Sequence, residues 1–183
     1  LAAECVRRSF DGFKPQHMAN VINGFARLAH DPGEAMLQQL VARCLRRGFK
    51  GFKPQEIANV INGFAKLQHH PGEAMLQQVV VKCVRIGFKA FKPQEIANLI
   101  NGFAKLRHHP GEAMLQQLAA ECARRGFGDF KTQEMANLIN GFAKLHYHPG
   151  EAMLQQLATE CARRGFKDFE PQEMASLVNG WAK

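Results

Sequence analysis

Apolar residues recur at three- and four-residue steps in two runs within every 39 residues of this chain. In the stretch 91–129 the first run is Ile96, Ala97, Leu99, Ile100, Phe103, Ala104 and Leu106. That spacing marks one face of an amphipathic helix of about 14 residues, here called helix A. Pro93 suits its first turn, where the missing N–H has no partner in any case, and Glu95 lies near the positive helix end. His108-His109-Pro110-Gly111 breaks the pattern. A second run, Met114, Leu115, Leu118, Ala119, Cys122 and Ala123, predicts helix B, with Pro110 near its first turn. Gly126 ends it, with Phe127 as a hydrophobic cap contact. No alternating pattern of a strand occurs anywhere.

The same pair returns along the whole chain. The tetrapeptides FKPQ, FKPQ, FKPQ, FKTQ and FEPQ begin at 13, 52, 91, 130 and 169. Full units are expected at 13–51, 52–90, 91–129 and 130–168, with 1–12 ending an earlier unit and 169–183 starting a further one. A single antiparallel hairpin cannot bury both of its apolar faces, so each must stack on its neighbours. The expected fold is all-α, one right-handed α-solenoid array over 1–183. The uncapped apolar ends read as a window on a longer array, or as a consensus-like sequence, and expose faces suited to end-to-end self-association. Phe25, Phe64 and Phe103 hold one helix A position, with Trp181 there in the last unit, and that stripe reads as core.

Helix A has a polar face as regular as its apolar one. Asn20, Asn23, Gly24 and Arg27 lie at i, i+3, i+4 and i+7 and therefore share a face. The stripe repeats as Asn59, Asn62, Gly63, Lys66, then Asn98, Asn101, Gly102, Lys105, then Asn137, Asn140, Gly141, Lys144. It ends as Ser176, Asn179, Gly180, Lys183. Asn is a poor helix former and mid-helix Gly costs about 1 kcal/mol against Ala, so helix stability does not account for it. Each Asn presents a donor and an acceptor on one planar amide, the chemistry that reads a base edge. The Gly is expected to leave a gap for a flat ligand, or to let two helices approach. The Lys or Arg one turn on would meet a phosphate. Asn20, Asn59, Asn98 and Asn137 flank the apolar side and also fit a role between repeats. Asn23 and its equivalents sit nearer the centre of the polar stripe, as ligand contacts.

The formal net charge of +8 favours a polyanionic partner. Successive full units hold six basic residues against two acidic, five against two, five against four and five against four, so the N-terminal half is the more basic. Cys5, Cys44, Cys83, Cys122 and Cys161 occupy one position per unit. Neighbours would stand about one helix spacing apart, roughly 10 Å, beyond disulfide reach. They read as small buried residues in a reducing compartment. His17, His30, His69, His70, His108, His109, His146 and His148 lie mostly in the A–B turns. A solvated turn is the expected setting, with metal or phosphate contact the other use. The pairs Arg46-Arg47, Arg124-Arg125 and Arg163-Arg164 suit the negative end of helix B, or nucleic acid. No nucleophile–base pair, metal spacing or phosphate-binding loop is visible. A residue repeated in every unit is a poor candidate for a unique active site, so no enzyme, cofactor, metal or small-molecule substrate is expected. No apolar run is long enough to span a bilayer.

The run FKPQEIANLINGFAKL at 91–106 resembles octotricopeptide repeats, helical pairs found in algal organellar RNA-binding proteins and similar to repeats in FAST-kinase-like mitochondrial proteins. The likeness covers essentially the whole chain. Lys14, Lys53 and Lys92 stand where that family often has a capping Ser, adding charge at an RNA entrance. The resemblance implies sequence-selective binding of single-stranded RNA, about one base per repeat. It also implies a chloroplast or mitochondrial setting and a role in transcript stability, processing or translation. The alternative is a protein-interaction solenoid that takes a peptide on the same face. Its signature would be mixed-charge or aromatic residues, where this chain repeats Asn, Gly and Lys.

Overall fold

A computed structural model describes residues 1–165 and 167–181. Among them there are ten α-helices, one short 3-10 turn (Phe88–Ala90) and no strand. Helices of one kind start 39 residues apart: α2 (Pro15–Arg27), α4 (Pro54–Lys66), α6 (Pro93–Lys105), α8 (Thr132–Lys144) and α10 (Pro171–Trp181). These are the A helices. The B helices are α1 (Ala2–Arg7), α3 (Glu34–Arg47), α5 (Glu73–Ile86), α7 (Glu112–Arg125) and α9 (Glu151–Arg164). Trp181 closes α10, but its side chain, like Lys183, lies outside the described residues.

Local chemistry sets the helix ends. The residue before each A helix is a Lys with extended backbone in α2, α4, α6 and α8. Lysine cannot accept a hydrogen bond, so only half of a capping box forms. The backbone N–H of Lys53, Lys92 and Lys131 donates to the carboxylate of Glu56, Glu95 and Glu134 at 2.8, 2.9 and 2.8 Å. In α2 the acceptor is Nδ1 of His17. At the other end the chain turns through a left-handed residue, Ala29, Gln68, Arg107 or His146. The following N–H then reaches back to Phe25, Phe64, Phe103 or Phe142 O, each at 3.1 Å, closing the helix as a Schellman turn. Each B helix starts two residues beyond its turn proline rather than at it. Gly33, Gly72, Gly111 and Gly150 precede the B helices at φ near 88°, a conformation that favours glycine.

The A helices pack along their lengths in the order α2, α4, α6, α8, α10, and the B helices meet in their own order at fewer positions. The apolar faces of both layers share one core, in which Phe49, Phe64, Phe103 and Phe127 are almost wholly buried. All five cysteines are free and buried, and burial pushes the thiols of Cys44, Cys83 and Cys122 up to about 12. They are core residues, as their recurrence indicates.

The glycines of the A helices correct one expectation. A Cβ on Gly63 would lie 2.9 Å from Ile22, on Gly102 2.6 Å from Ile61, and on Gly141 3.0 Å from Ile100. These positions are the contact between neighbouring A helices, and no gap for a ligand remains there. The closeness of the A layer rests on a residue without a side chain.

His30, His70, His109, His146 and His148 are exposed, as a solvated turn predicts, whereas His69, His108 and two of the arginine pairs differ from expectation. His69 and His108 stack near Phe64 and Phe103 and face Glu34 and Glu73 of the preceding unit at 3.5 and 2.9 Å. They join units rather than dangle in solvent. His70, His109 and His148 accept the N–H of Gly72, Gly111 and Gly150 through Nδ1, as Asp31 does for Gly33. Arg125 donates to Phe91 O at 2.9 Å and Phe88 O at 3.1 Å. Arg164 reaches Phe127 O and Gly128 O in the same way. Arg125 and Arg164 therefore clamp the loop that leads from the preceding B helix to the next A helix, a task distinct from countering a helix end.

Candidate functional site

Four A helices present one polar surface. Gln55, Asn59, Asn62 and Lys66 run down α4, and Gln94, Asn98, Asn101 and Lys105 run down α6. With Asn23 and Arg27 of α2, and Gln133 and Asn137 of α8, they line a trough of about 540 Å³. The trough continues for about 350 Å³ past Asn140 and Lys144 to Gln172 and Ser176 of α10, sharing Asn101, Lys105, Gln133 and Asn137 with the first part. Most of the stripe read from the sequence is thus brought together on one surface. Asn20 and Asn179 are exposed but do not line it, and Lys183 is outside the described residues.

Within the stripe the expected order of burial is reversed in the middle of the array. Asn62 and Asn101 keep only 8% and 9% of their surface exposed, while Asn59, Asn98 and Asn137 are half-buried. The cause is the close A-layer contact: Gly102 sits against the backbone of Ile61 and Asn62, and Gly141 against that of Asn101. The neighbouring helix covers most of the surface of these asparagines, and both still line the trough.

No asparagine of the stripe makes a side-chain hydrogen bond to protein among the described residues. An amide ladder between units, the alternative role for Asn59 and its equivalents, does not form. The donors and acceptors face the trough. Arg27, Lys66, Lys105 and Lys144 are exposed on its edge and form no ion pair among the described residues.

Sequence reasoning missed Gln55, Gln94, Gln133 and Gln172, which extend the amide row by one turn. The signal was present: 55, 59, 62 and 66 follow steps of four, three and four, the spacing of a single helix face. These glutamines fall in the first helical turn, between the Pro93 and Glu95 positions that mark a helix start.

Fold and site together define an all-helical repeat-like protein carrying an amide-lined, basic trough on one layer. The model of the RNA-editing substrate-binding complex 8 protein family matches residues 33–179, and the chain belongs to that family, which is helical and RNA-associated. A second model, for a family described as a protein of unknown function, matches residues 3–22. No curated protein matches the chain. No helix among the described residues is long and apolar enough to cross a membrane.

Proposed function

We propose that the chain binds single-stranded RNA along this trough, at about one base per 39-residue unit, as a non-catalytic recognition array. The carrying observation is an uninterrupted row of unpartnered amides bordered by unpaired cations. Amides that have no protein partner remain available for base edges, and the cations suit phosphates. The whole chain acts as one right-handed α-solenoid, with the closely packed A layer on the inside of its curve. An organellar transcript is the intended partner, in keeping with the octotricopeptide resemblance. A peptide-binding array would line this face with aromatic side chains, whereas amides and basic residues predominate here, with Glu95, Glu170 and Glu173 the acidic members of the lining.

The test is a panel of RNA homopolymers, measured by fluorescence anisotropy at two salt concentrations. Repetition of one amide set predicts preference for one base type. Combined Asn62→Ala, Asn101→Ala and Asn140→Ala substitutions should abolish that preference while the melting temperature stays within a few degrees. Equal binding of all sequences by wild type and variant would sink the base-reading model.

End-to-end self-association has its own supporting observation. Val178 of α10 is 65% exposed at the position where Ile61 and Ile100 press on the next helix's glycine. Gly24 of α2 has nothing within 4 Å of a built Cβ. Val178 and Gly24 are the two unmatched halves of the contact that joins the A helices. Sedimentation velocity of the wild type against Val178→Asp checks it: concentration-dependent growth must disappear in the variant.

A further inference from the structure

The trough has two basic edges, and they differ. Along the start of the A helices stand Lys53, Lys92 and Lys131, of which Lys92 lines the trough together with Glu95. Each is followed within one turn by a glutamate whose carboxylate already accepts the free N–H of the helix start. Charge there is balanced, and one backbone donor of each helix start is already occupied by that carboxylate. Along the opposite edge Lys66 and Lys105 close α4 and α6. They also line a cleft of about 670 Å³ shared with Gln68, His70 and Arg107, and no carboxylate lines it. The carbonyls of Phe64, Ala65, Phe103 and Ala104 are taken by the turn N–H groups of His69, Gln68, His108 and Arg107, so the cations are not spent on them. Lys66, Lys105 and Arg107 form no ion pair among the described residues.

We infer that this cleft is a phosphate subsite for the strand bound in the trough. The sugar–phosphate backbone then runs along the C-terminal edge of the A helices, with the bases turned onto Asn59, Asn62, Asn98 and Asn101. The inference rests on the RNA-binding reading and adds an orientation to it. Because Lys66 and Lys105 border both the trough and the cleft, a strand whose bases occupy the first has its phosphates beside the second. Arg107 sets this part of the array apart. Its counterparts at the same turn position are Ala29, Gln68 and His146, so of these four turns only that of Arg107 adds a third, permanent cation beside neighbouring lysines. That asymmetry gives an otherwise repetitive surface a fixed anchor point.

The experiment uses the full chain and a single-stranded RNA of the preferred base, with affinity measured from low to high salt. Arg107→Gln keeps a residue type that the same turn already accommodates at Gln68. It should weaken binding to every sequence and reduce the slope of log K against log salt by roughly 0.7, the value for one phosphate contact on a single strand. Base preference should not change. Lys66→Gln with Lys105→Gln should lower the slope further. Lys53→Gln with Lys131→Gln should leave it in place. An unchanged slope in the Arg107 variant, or an equal loss in the Lys53 and Lys131 variant, overturns the orientation while leaving asparagine-dependent base preference intact. Absence of RNA binding by the wild type overturns both readings at once.

Discussion

Gly102 of α6 lies so close to Ile61 of α4 that a Cβ on the glycine would stand 2.6 Å from Ile61 Cγ2. The same relation holds between Gly63 and Ile22, and between Gly141 and Ile100. Gly24 occupies the equivalent place in α2, with open space around it. One substitution therefore has opposite signs at two equivalent sites. Gly102→Ala must push Ile61 or the backbone behind it and should destabilise by about 1–3 kcal/mol, as overpacking does. Gly24→Ala meets nothing and should gain up to about 1 kcal/mol from helix propensity. Urea titration of both variants measures this, and a loss of stability at Gly24 would contradict the packing described.

Arg125 and Arg124 are neighbours with unequal tasks. Arg125 holds two carbonyls of the loop that joins the preceding unit to its own, Phe88 O and Phe91 O, and the carboxylate of Glu121; Arg124 holds only Glu121 and is 60% exposed. Arg125→Ala leaves those carbonyls without their charged donor and should cost about 1.5–3 kcal/mol. Arg124→Ala should cost less than about 1 kcal/mol, as exposed pairs do. The second unit has Lys82 and Ile86 at the two clamp positions. Lys82→Glu combined with Ile86→Arg should therefore build the clamp there and raise the melting temperature, while Ile86→Arg alone gains less.

Helix positions and the inward face were legible because each follows from spacing along one helix. Pro93, Gly126 and the Ile96-to-Leu106 run carry that information locally. The role of Gly102 was not legible, since a glycine beside Asn101 reads equally as a ligand gap or a helix contact until the neighbouring Ile61 is placed. Arg125 escaped for the same reason: its acceptors, Phe88 O and Phe91 O, lie 37 and 34 residues earlier and are backbone atoms that no side-chain pattern marks. The asparagine stripe was found as a stripe. Its internal order came out reversed because burial of Asn62 depends on how near α6 approaches.

Acid should weaken the ion pairs within the B helices in a defined window. Hydrogen bonds from Arg124 hold the Glu121 carboxyl at about 2, opposed by burial and reinforced by Arg125. Arg163 and Arg164 hold Glu160 at about 2 in the same way. A carboxyl depressed in the folded state stabilises fully above its unfolded value, near 4.5. That stabilisation is lost as pH falls from there towards 2. Thermal melts should decline over this interval, and Glu121→Gln with Glu160→Gln should flatten the decline. A midpoint that falls equally steeply in wild type and variant would show that other carboxylates dominate.

The two asparagines of each A helix should contribute unequally to binding. Asn62 and Asn101 are mostly covered by the neighbouring helix, so little side-chain freedom remains to be lost when the amide meets a base. Asn59 and Asn98 are half-buried and keep more of it. A well-placed bidentate amide is worth about 1–3 kcal/mol of discrimination between bases. Asn62→Ala with Asn101→Ala should thus cost most of the base preference. Asn59→Ala with Asn98→Ala should lower affinity for all sequences with a smaller change in preference. Gln94→Ala with Gln133→Ala, one turn nearer the helix start, should act like the second pair. Competition binding with two homopolymers separates the cases, because preference is a ratio and is insensitive to a common loss. If the half-buried pair proves the more discriminating, preorganisation is not what selects the base.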